Sequence, residues 1–377
     1  MVIPYGRQAV DEQDIAAVVE ILRGDWLTQG PTVREFEDAF AAACDAPYAV
    51  SFSSGTAALH AAAFAAGVGP QDELLTSALT FSASANCGAY VGATPTFADI
   101  DPGTWNVSVE TVAAATTDAT RVVVPVHFAG LPPPVREIRE RAGDRVLIIE
   151  DAAHALGART SEEKVGACKW SDMAMFSLHP VKAIATGEGG MVTTRRPELR
   201  DRLMIFRNHG FDLHPPAAPG GWYREQVELG FNYRLSDIHS ALGRSQLRKL
   251  DRFIAGRNEV AARYRDLLRD VPEIGLPPAA PDRSLHAYHL FVITLRDGAE
   301  ARLRLYDGLR KRGILAQVHY LPVYLHPYYN RTFGYQPGLC PQAEDYYSRC
   351  LSLPCFPTLT RQQQDQVVEA VREIVTS

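Results

Sequence analysis

The spacing of apolar positions changes character along this chain. Near the N-terminus it is helical. From Asp11 onward Ile15, Val18, Val19 and Leu22 recur on one face, and Thr32 with Glu35 predicts a capping box opening a second helix through Phe36 and Phe40. Short apolar runs then alternate with helical stretches. The predicted strand–helix pairs are 48–52 with 56–66, 73–76 with 82–90, and 95–100 with 109–115; a strand at 122–127, a helix near 135–142 and a strand at 146–151 follow. This alternation predicts an α/β domain whose mostly parallel sheet is covered on both faces. Two further strands, 173–178 and 190–194, flank a loop that carries Lys182, and a Pro/Gly-rich loop is predicted at 214–222. One long helical stretch runs from Ser236 to about Arg269, and the proline-rich 272–281 reads as a hinge or linker. The pattern at 289–295, 301–312, 315–320 and 362–374 predicts a smaller α+β domain, dividing the chain into residues 1–250 and 251–377.

Composition narrows the class. Of 377 residues, 46% are hydrophobic and 22% charged, which is ordinary for a globular protein. A net charge of −6 argues against nucleic acid as partner. The N-terminus lacks a basic stretch followed by an apolar one, and no window is apolar enough to cross a bilayer, so neither secretion nor a membrane partner is expected. Cys44, Cys87, Cys168, Cys340, Cys350 and Cys355 include no Cys-x-x-Cys pair. This spacing suits neither a disulfide framework nor a zinc site; reduced thiols in a cytoplasmic protein without a metal are expected.

Four segments carry candidate chemistry. Ser53 to Leu59 lies between a strand and a helix, where a helix start offers free N–H groups to a phosphate; alone, it reads equally as Ser54 or Thr56 capping the helix. Glu150-Asp151-Ala-Ala-His154 ends an apolar strand, where α/β proteins bind ligands. A carboxylate there can keep a pyridine nitrogen protonated, or serve as a metal ligand or cap, and His154 alone reads as structural. Lys182 follows a buried strand in a glycine-flanked loop, a setting that desolvates an amine and makes it a nucleophile and proton shuttle, although a lone loop lysine is usually only solvated charge. Ser177 could share a phosphate with the first segment. Gly230 to Asp237, before the long helix, reads by itself as a polar loop with Ser236 as N-cap.

In this order the four segments resemble the DegT/DnrJ/EryC1/StrS sugar aminotransferases, which are fold type I enzymes. The likeness spans nearly the whole chain. It includes Tyr5, Leu27 to Gly30, Ser84-Ala85-Asn86, Val165-Gly166, Ser177 to Gly190, Gly313 to Tyr320 and Ser352 to Cys355. The stretches around Lys182 and from Gly313 to Tyr320 are specific, whereas Ser54-Gly55-Thr56 is common to the wider family. Within it the likeness runs to the transaminases of pseudaminic acid biosynthesis, which aminate C4 of a nucleotide-linked 4-keto-6-deoxyhexose.

The resemblance implies a large domain with a seven-stranded, mostly parallel sheet, pyridoxal 5′-phosphate as cofactor, and ping-pong transamination with glutamate as donor. It implies that Lys182 carries the cofactor as a Schiff base and that Asp151 pairs with the pyridine nitrogen. Ser54, Gly55, Thr56 and Ser177 would hold the phosphate, Phe81 would stack on the ring, and His154 would lie close by. Asn232 would reach the cofactor phosphate of the other subunit, making a homodimer with shared active sites. Tyr5, Trp26, Leu27, Thr28, Gln29, Gln317, Val318, His319 and Tyr320 match positions that contact cofactor or sugar.

Three rival readings rank lower. Nucleotide-sugar dehydratases on this scaffold carry histidine where Lys182 stands. A non-catalytic regulator has no need of both Lys182 and Asp151. A nicotinamide-dependent dehydrogenase would carry Gly-x-Gly-x-x-Gly after its first strand, and none follows here.

Overall fold

The computed structural model describes residues 2–212 and 220–376; most of the loop predicted at 214–222 lies outside them. Strand β1 (Ile3–Pro4) leads to α1 (Glu12–Arg23), which Asp11 caps by accepting the N–H groups of Gln13 and Asp14 while the Asp14 carboxylate accepts the Asp11 N–H. The predicted apolar face of α1 exists, with Val18 and Val19 half-buried, but Ile15 and Leu22 on it remain 48% and 56% exposed, so the described residues cover it only in part. Helix α2 (Pro31–Ala43) starts differently from the capping-box expectation. Thr32 is already inside the helix, and its N-cap Gly30 has no side chain. The buried carboxylate of Asp237 accepts the N–H groups of Gly30 at 2.8 Å and Thr32 at 3.1 Å instead.

The central sheet contains β2 (Tyr48–Phe52), β3 (Glu73–Ser77), β4 (Thr94–Ala98), β5 (Thr120–Val124), β6 (Leu147–Asp151), β7 (Met173–Ser177) and β8 (Gly190–Thr194). Its seven strands run in the order β2-β8-β7-β6-β5-β3-β4, all parallel except β8, which is antiparallel to both neighbours. Burial on both faces explains why these strands read as continuous apolar runs. Ile149, Met173 and Met175 pack into a core with the alanine-rich α3 (Gly55–Ala65) and with α7 (Pro197–Arg207), which follows β8. Ala174 and Phe176 pack into another core with Phe36 and Phe40 of α2. Helices α4 (Ala83–Tyr90), α5 (Val109–Ala115) and α6 (Val135–Ala142) form the other crossovers. This is the α/β architecture the alternation predicts.

After the two-residue ladder of β9 (Phe211–Asp212) with β10 (Glu225–Gln226), the predicted single long helix proves to be two, α8 (Asp237–Leu247) and α9 (Leu250–Leu268). At the junction Lys249, 8% exposed, pairs with Asp11 at 2.6 Å and Asp14 at 2.7 Å, binding the break to the start of α1. The proline-rich segment is not a free linker: β11 (Ile274–Gly275) within it pairs with β12 (Phe291–Leu295), and β14 (Cys350–Leu353) completes a three-stranded antiparallel sheet. Helix α9 packs on this sheet together with α10 (Gly298–Lys311), which precedes β13 (Ile314–Leu315), and α13 (Arg361–Val375). Helices α11 (Pro327–Phe333) and α12 (Pro341–Arg349) bring Tyr329, Ala343 and Tyr346 into a core shared with Phe97 and Phe128 of the sheet domain. Strand β1 pairs in parallel with β13, so Ile3 belongs to the C-terminal core. Among the described residues no helix is long and apolar enough to cross a membrane, and all six cysteines are buried free thiols.

Candidate active site

The carboxyl ends of β6 and β7 and the start of α3 meet at a cavity of about 380 Å³. Asp151 is the last residue of β6. Its backbone is fixed on both sides, because its N–H donates to Pro125 O and its own carbonyl accepts the His127 N–H. Both side-chain oxygens are engaged: Oδ1 accepts the Ala153 N–H at 3.1 Å and Oδ2 accepts the Ser84 hydroxyl at 2.5 Å. Ser84 lies within hydrogen-bond distance, 2.6 Å, of the Thr80 hydroxyl, and all three side chains are buried. The carboxylate is therefore held in one orientation by two donors, the Ala153 N–H and the Ser84 hydroxyl, the second with Thr80 beside it.

Lys182 lines the same cavity. Its amine has no hydrogen-bond or ion-pair partner among the described residues. Desolvation pulls its ammonium down to about 8 from an ordinary 10.5; the Asp151 carboxylate opposes this shift and the Arg257 guanidinium adds to it. With its proton affinity lowered to about 8, roughly a tenth to a fifth of the amine is neutral near physiological pH, far more than for an ordinary lysine, and the neutral form is the nucleophile toward an aldehyde.

The third component is the start of α3. Ser54 caps the helix through its hydroxyl, which accepts the Ala57 N–H at 3.1 Å, leaving the N–H groups of Gly55 and Thr56 at the open end. Gly55 lies against the end of β7: a Cβ there would sit 3.1 Å from Ser177 Cβ and 3.3 Å from its hydroxyl. The cradle is built from small residues around an end with positive dipole, the chemistry that receives a phosphate.

Three histidines close the cavity. His154 stacks on His289 with centroids 4.2 Å apart, and its Nε2 lies 3.3 Å from the Tyr320 hydroxyl. His319 reaches the Ser352 hydroxyl through Nδ1 at 2.8 Å. Burial pulls all three far below the usual imidazole range, His319 to about 3, and the neighbouring Lys182 charge contributes to each. They are neutral at pH 7, and their rings wall the cavity without adding charge. Tyr5 tilts over His319 at 5.4 Å, and Phe81, 59% exposed, forms the rim.

Of the residues singled out in the sequence, Tyr5, Ser54, Gly55, Thr56, Phe81, Asp151, His154, Ser177, Lys182, His319 and Tyr320 line this cavity. Trp26, Leu27, Thr28, Gln29, Asn232, Gln317 and Val318 do not. Gln317 instead exchanges backbone hydrogen bonds with Ser352, and Val318 packs against two cores. Trp26 to Gln29 form an exposed strap fastened by a Thr28–Ser236 bridge and by the Asp237 N–H donating to Leu27 O. Asn232 is exposed, bridging Asn208. Four contributors went unassigned from sequence: Ser84, Thr80, Glu188 and His289. Ser84 stands in a motif of the family likeness, yet nothing local to it signals a partner on a distant strand.

A crevice at the carboxyl ends of a mostly parallel sheet, joining a desolvated lysine, an oriented carboxylate and an open helix end, defines the fold type I aminotransferase class. The model of the DegT/DnrJ/EryC1/StrS aminotransferase family matches residues 8–372, and the chain belongs to that family. Among curated relatives, the spore coat polysaccharide biosynthesis protein SpsC of Bacillus subtilis (strain 168) is 39% identical over 380 aligned positions, 99% of this chain and 97% of SpsC. Among solved structures, PseC of Helicobacter pylori, an aminotransferase involved in the biosynthesis of pseudoaminic acid, superposes with a TM-score of 0.93 at 30% identity, covering 100% of both chains. Spr1654 of Streptococcus pneumoniae in its PLP form superposes with a TM-score of 0.92 at 26% identity, over 100% of this chain and 99% of that one.

Proposed function

We propose that this aminotransferase uses pyridoxal 5′-phosphate to move an amino group from glutamate to C4 of a nucleotide-linked 4-keto-6-deoxyhexose. The observation that carries the reading is one cavity holding both an unpartnered, desolvated amine, Lys182, and a carboxylate fixed by two donors, Asp151. The residues fit the cofactor. Lys182 would bind its aldehyde, Asp151 its pyridine nitrogen, and Ser54, Gly55, Thr56 and Ser177 its phosphate, with Phe81 and His154 against the ring. When bound, the cofactor supplies an electron sink for charge developing at the carbon that loses a proton.

The chain's own groups do the rest. Lys182 Nζ takes the α-proton of the amino-acid donor and, in the second half of the cycle, delivers a proton to the sugar's C4. Asp151, pinned by Ser84 and Ala153, keeps its negative charge directed at one place. The neutral histidine wall and Tyr320 exclude bulk water, which protects the amine's depressed proton affinity. Tyr5, His319 and Tyr320, with the half-buried Gln317 and Val318, would contact the sugar from within the chain, and Trp26, Leu27, Thr28 and Gln29 from its exposed side. Asn232 would complete the partner's phosphate site in a homodimer. The exposure of Ile15 and Leu22 on α1, and of Trp26 and Phe231, supports such an interface.

The test incubates the purified protein, loaded with cofactor, with glutamate and a panel of nucleotide 4-keto-6-deoxy sugars, measuring 2-oxoglutarate and amino sugar. Product formation with at least one such sugar is expected. Absence of 2-oxoglutarate with every sugar would refute the reading. For the dimer, mixing an Asn232→Ala chain with a Lys182→Ala chain should restore activity that neither has alone, and no recovery on mixing would refute shared sites.

A further inference from the structure

We propose that Arg257 is a positioning residue of this site: from α9 it clamps the loop that carries Lys182 to the turn that carries His289, and sets a permanent positive charge against the backbone of both. Arg257 is 1% exposed and has no carboxylate within ion-pair distance among the described residues. A guanidinium cannot shed its proton, and burying it without an anion is costly. Backbone carbonyls offset that cost. One terminal nitrogen donates to Tyr288 O at 3.2 Å, His289 O at 3.2 Å and Cys355 O at 2.8 Å; the other donates to Val181 O at 3.2 Å, one residue before Lys182. An apolar side chain would fill the same space without the desolvation cost, so packing alone gives no reason for a cation here.

The turn it holds needs holding. Tyr288 has φ 44, in the left-handed region that a tyrosine enters only at an energetic cost. Neighbouring groups brace it: Asn258, next on α9, donates to His286 O at 3.0 Å, and the Tyr288 N–H donates to His286 Nδ1 at 2.9 Å. Consecutive residues of α9 thus set the turn that places His289 on His154.

The charge acts on Lys182 as well. Around that amine stand the carboxylates Asp151 on β6 and Glu188 in its own loop, with His179 beside it. From other elements come the buried, neutral His154, His289 and His319 and the phenols Tyr5 and Tyr320, whose proton affinities burial raises. Arg257 is the fixed cation of the set, and its field disfavours a second charge on the amine.

The inference builds on Lys182 as the reacting amine, so its test uses cofactor-free protein and reads the amine alone. Native, Arg257→Gln and Arg257→Lys chains, each checked for folding by circular dichroism, are labelled with acetic anhydride across a pH series, and residue 182 is quantified by peptide mapping. Gln keeps donors for part of the carbonyl set but loses the charge; Lys keeps the charge. The Gln variant should label about three- to tenfold more slowly than native near pH 7, with its midpoint moved upward. The Lys variant should keep the native midpoint. A folded Gln variant with the native profile, or a Lys variant displaced upward like Gln, would overturn the proposal. Should the Gln chain fail to fold, Arg257→Met, which keeps the length and drops the charge, takes its place under the same criterion. A merely structural role would lower the melting temperature of both variants and leave the profile of residue 182 in place. Failure of Schiff-base trapping at residue 182 alongside the expected labelling would sink the proposed function and leave the clamp standing.

Discussion

Lys182 makes the cofactor-free protein less stable than it need be, and the loss can be measured. Its folded-state proton affinity lies near 8 against an ordinary 10.5. Below about pH 8 the amine is charged in both states and the folded state bears the full desolvation penalty. Between 8 and 10.5 the unfolded chain still binds the proton while the folded chain has released it, so stability rises with pH through that window. Above it both states are neutral and the penalty vanishes. At about 1.4 kcal/mol per pH unit the gap corresponds to roughly 3 kcal/mol, reduced to about 2 because Lys182 keeps some exposed surface. Methionine fills nearly the same volume, and the amine has no hydrogen bond to lose. Lys182→Met should therefore stabilise the cofactor-free fold by about 2 kcal/mol at pH 7, with the gain shrinking as pH approaches 10. Urea unfolding of both chains at several pH values measures this. A Met variant no more stable than native at pH 7, or a gain independent of pH, would refute the desolvated amine.

Other predictions concern the supports of the site. Ser84→Ala removes the 2.5 Å donor to Asp151 Oδ2 in a buried setting; a hydrogen bond to a charged group contributes about 1.5–3 kcal/mol, so cofactor affinity measured by fluorescence titration should fall roughly 10- to 100-fold with the fold intact. Native affinity in that variant would show that Asp151 needs no such donor. Asp237→Ala strands two N–H groups at the start of α2 and should cost about 2–4 kcal/mol in denaturant unfolding. Because that carboxylate holds Gly30, the residue that follows the 26–29 strap, the variant should raise KM for the sugar more than it slows the glutamate half-reaction. Equal effects on both would argue against the strap as a sugar contact.

The legible parts of this protein are those encoded locally. The run ending at Asp151 is apolar because it is buried on both faces, and Lys182 follows the next such run at once, so strand pattern and site position were readable together. What was not readable depends on contacts between distant segments. Thr32 and Glu35 have capping-box spacing, yet the cap is Asp237, which only tertiary structure brings to Gly30. The helical pattern runs through Arg248 and Lys249, but the pull of Asp11 and Asp14 on Lys249 accompanies a break there. Prolines around Ile274 and Gly275 read as a linker, and only pairing with Leu295 and Thr294 makes an edge strand of them. Ser84 illustrates the same limit inside the site: a serine in the first turn of a helix is indistinguishable from a cap until Asp151 is seen 2.5 Å away.

The central claim is that the amine of Lys182 condenses with the aldehyde of pyridoxal phosphate. Borohydride reduction of the cofactor-loaded protein, followed by proteolysis and mass spectrometry, reads this directly. A phosphopyridoxyl label on the peptide carrying Lys182, and its loss in Lys182→Met, is the predicted result; a label fixed at any other lysine, or a protein that takes up none, would contradict it.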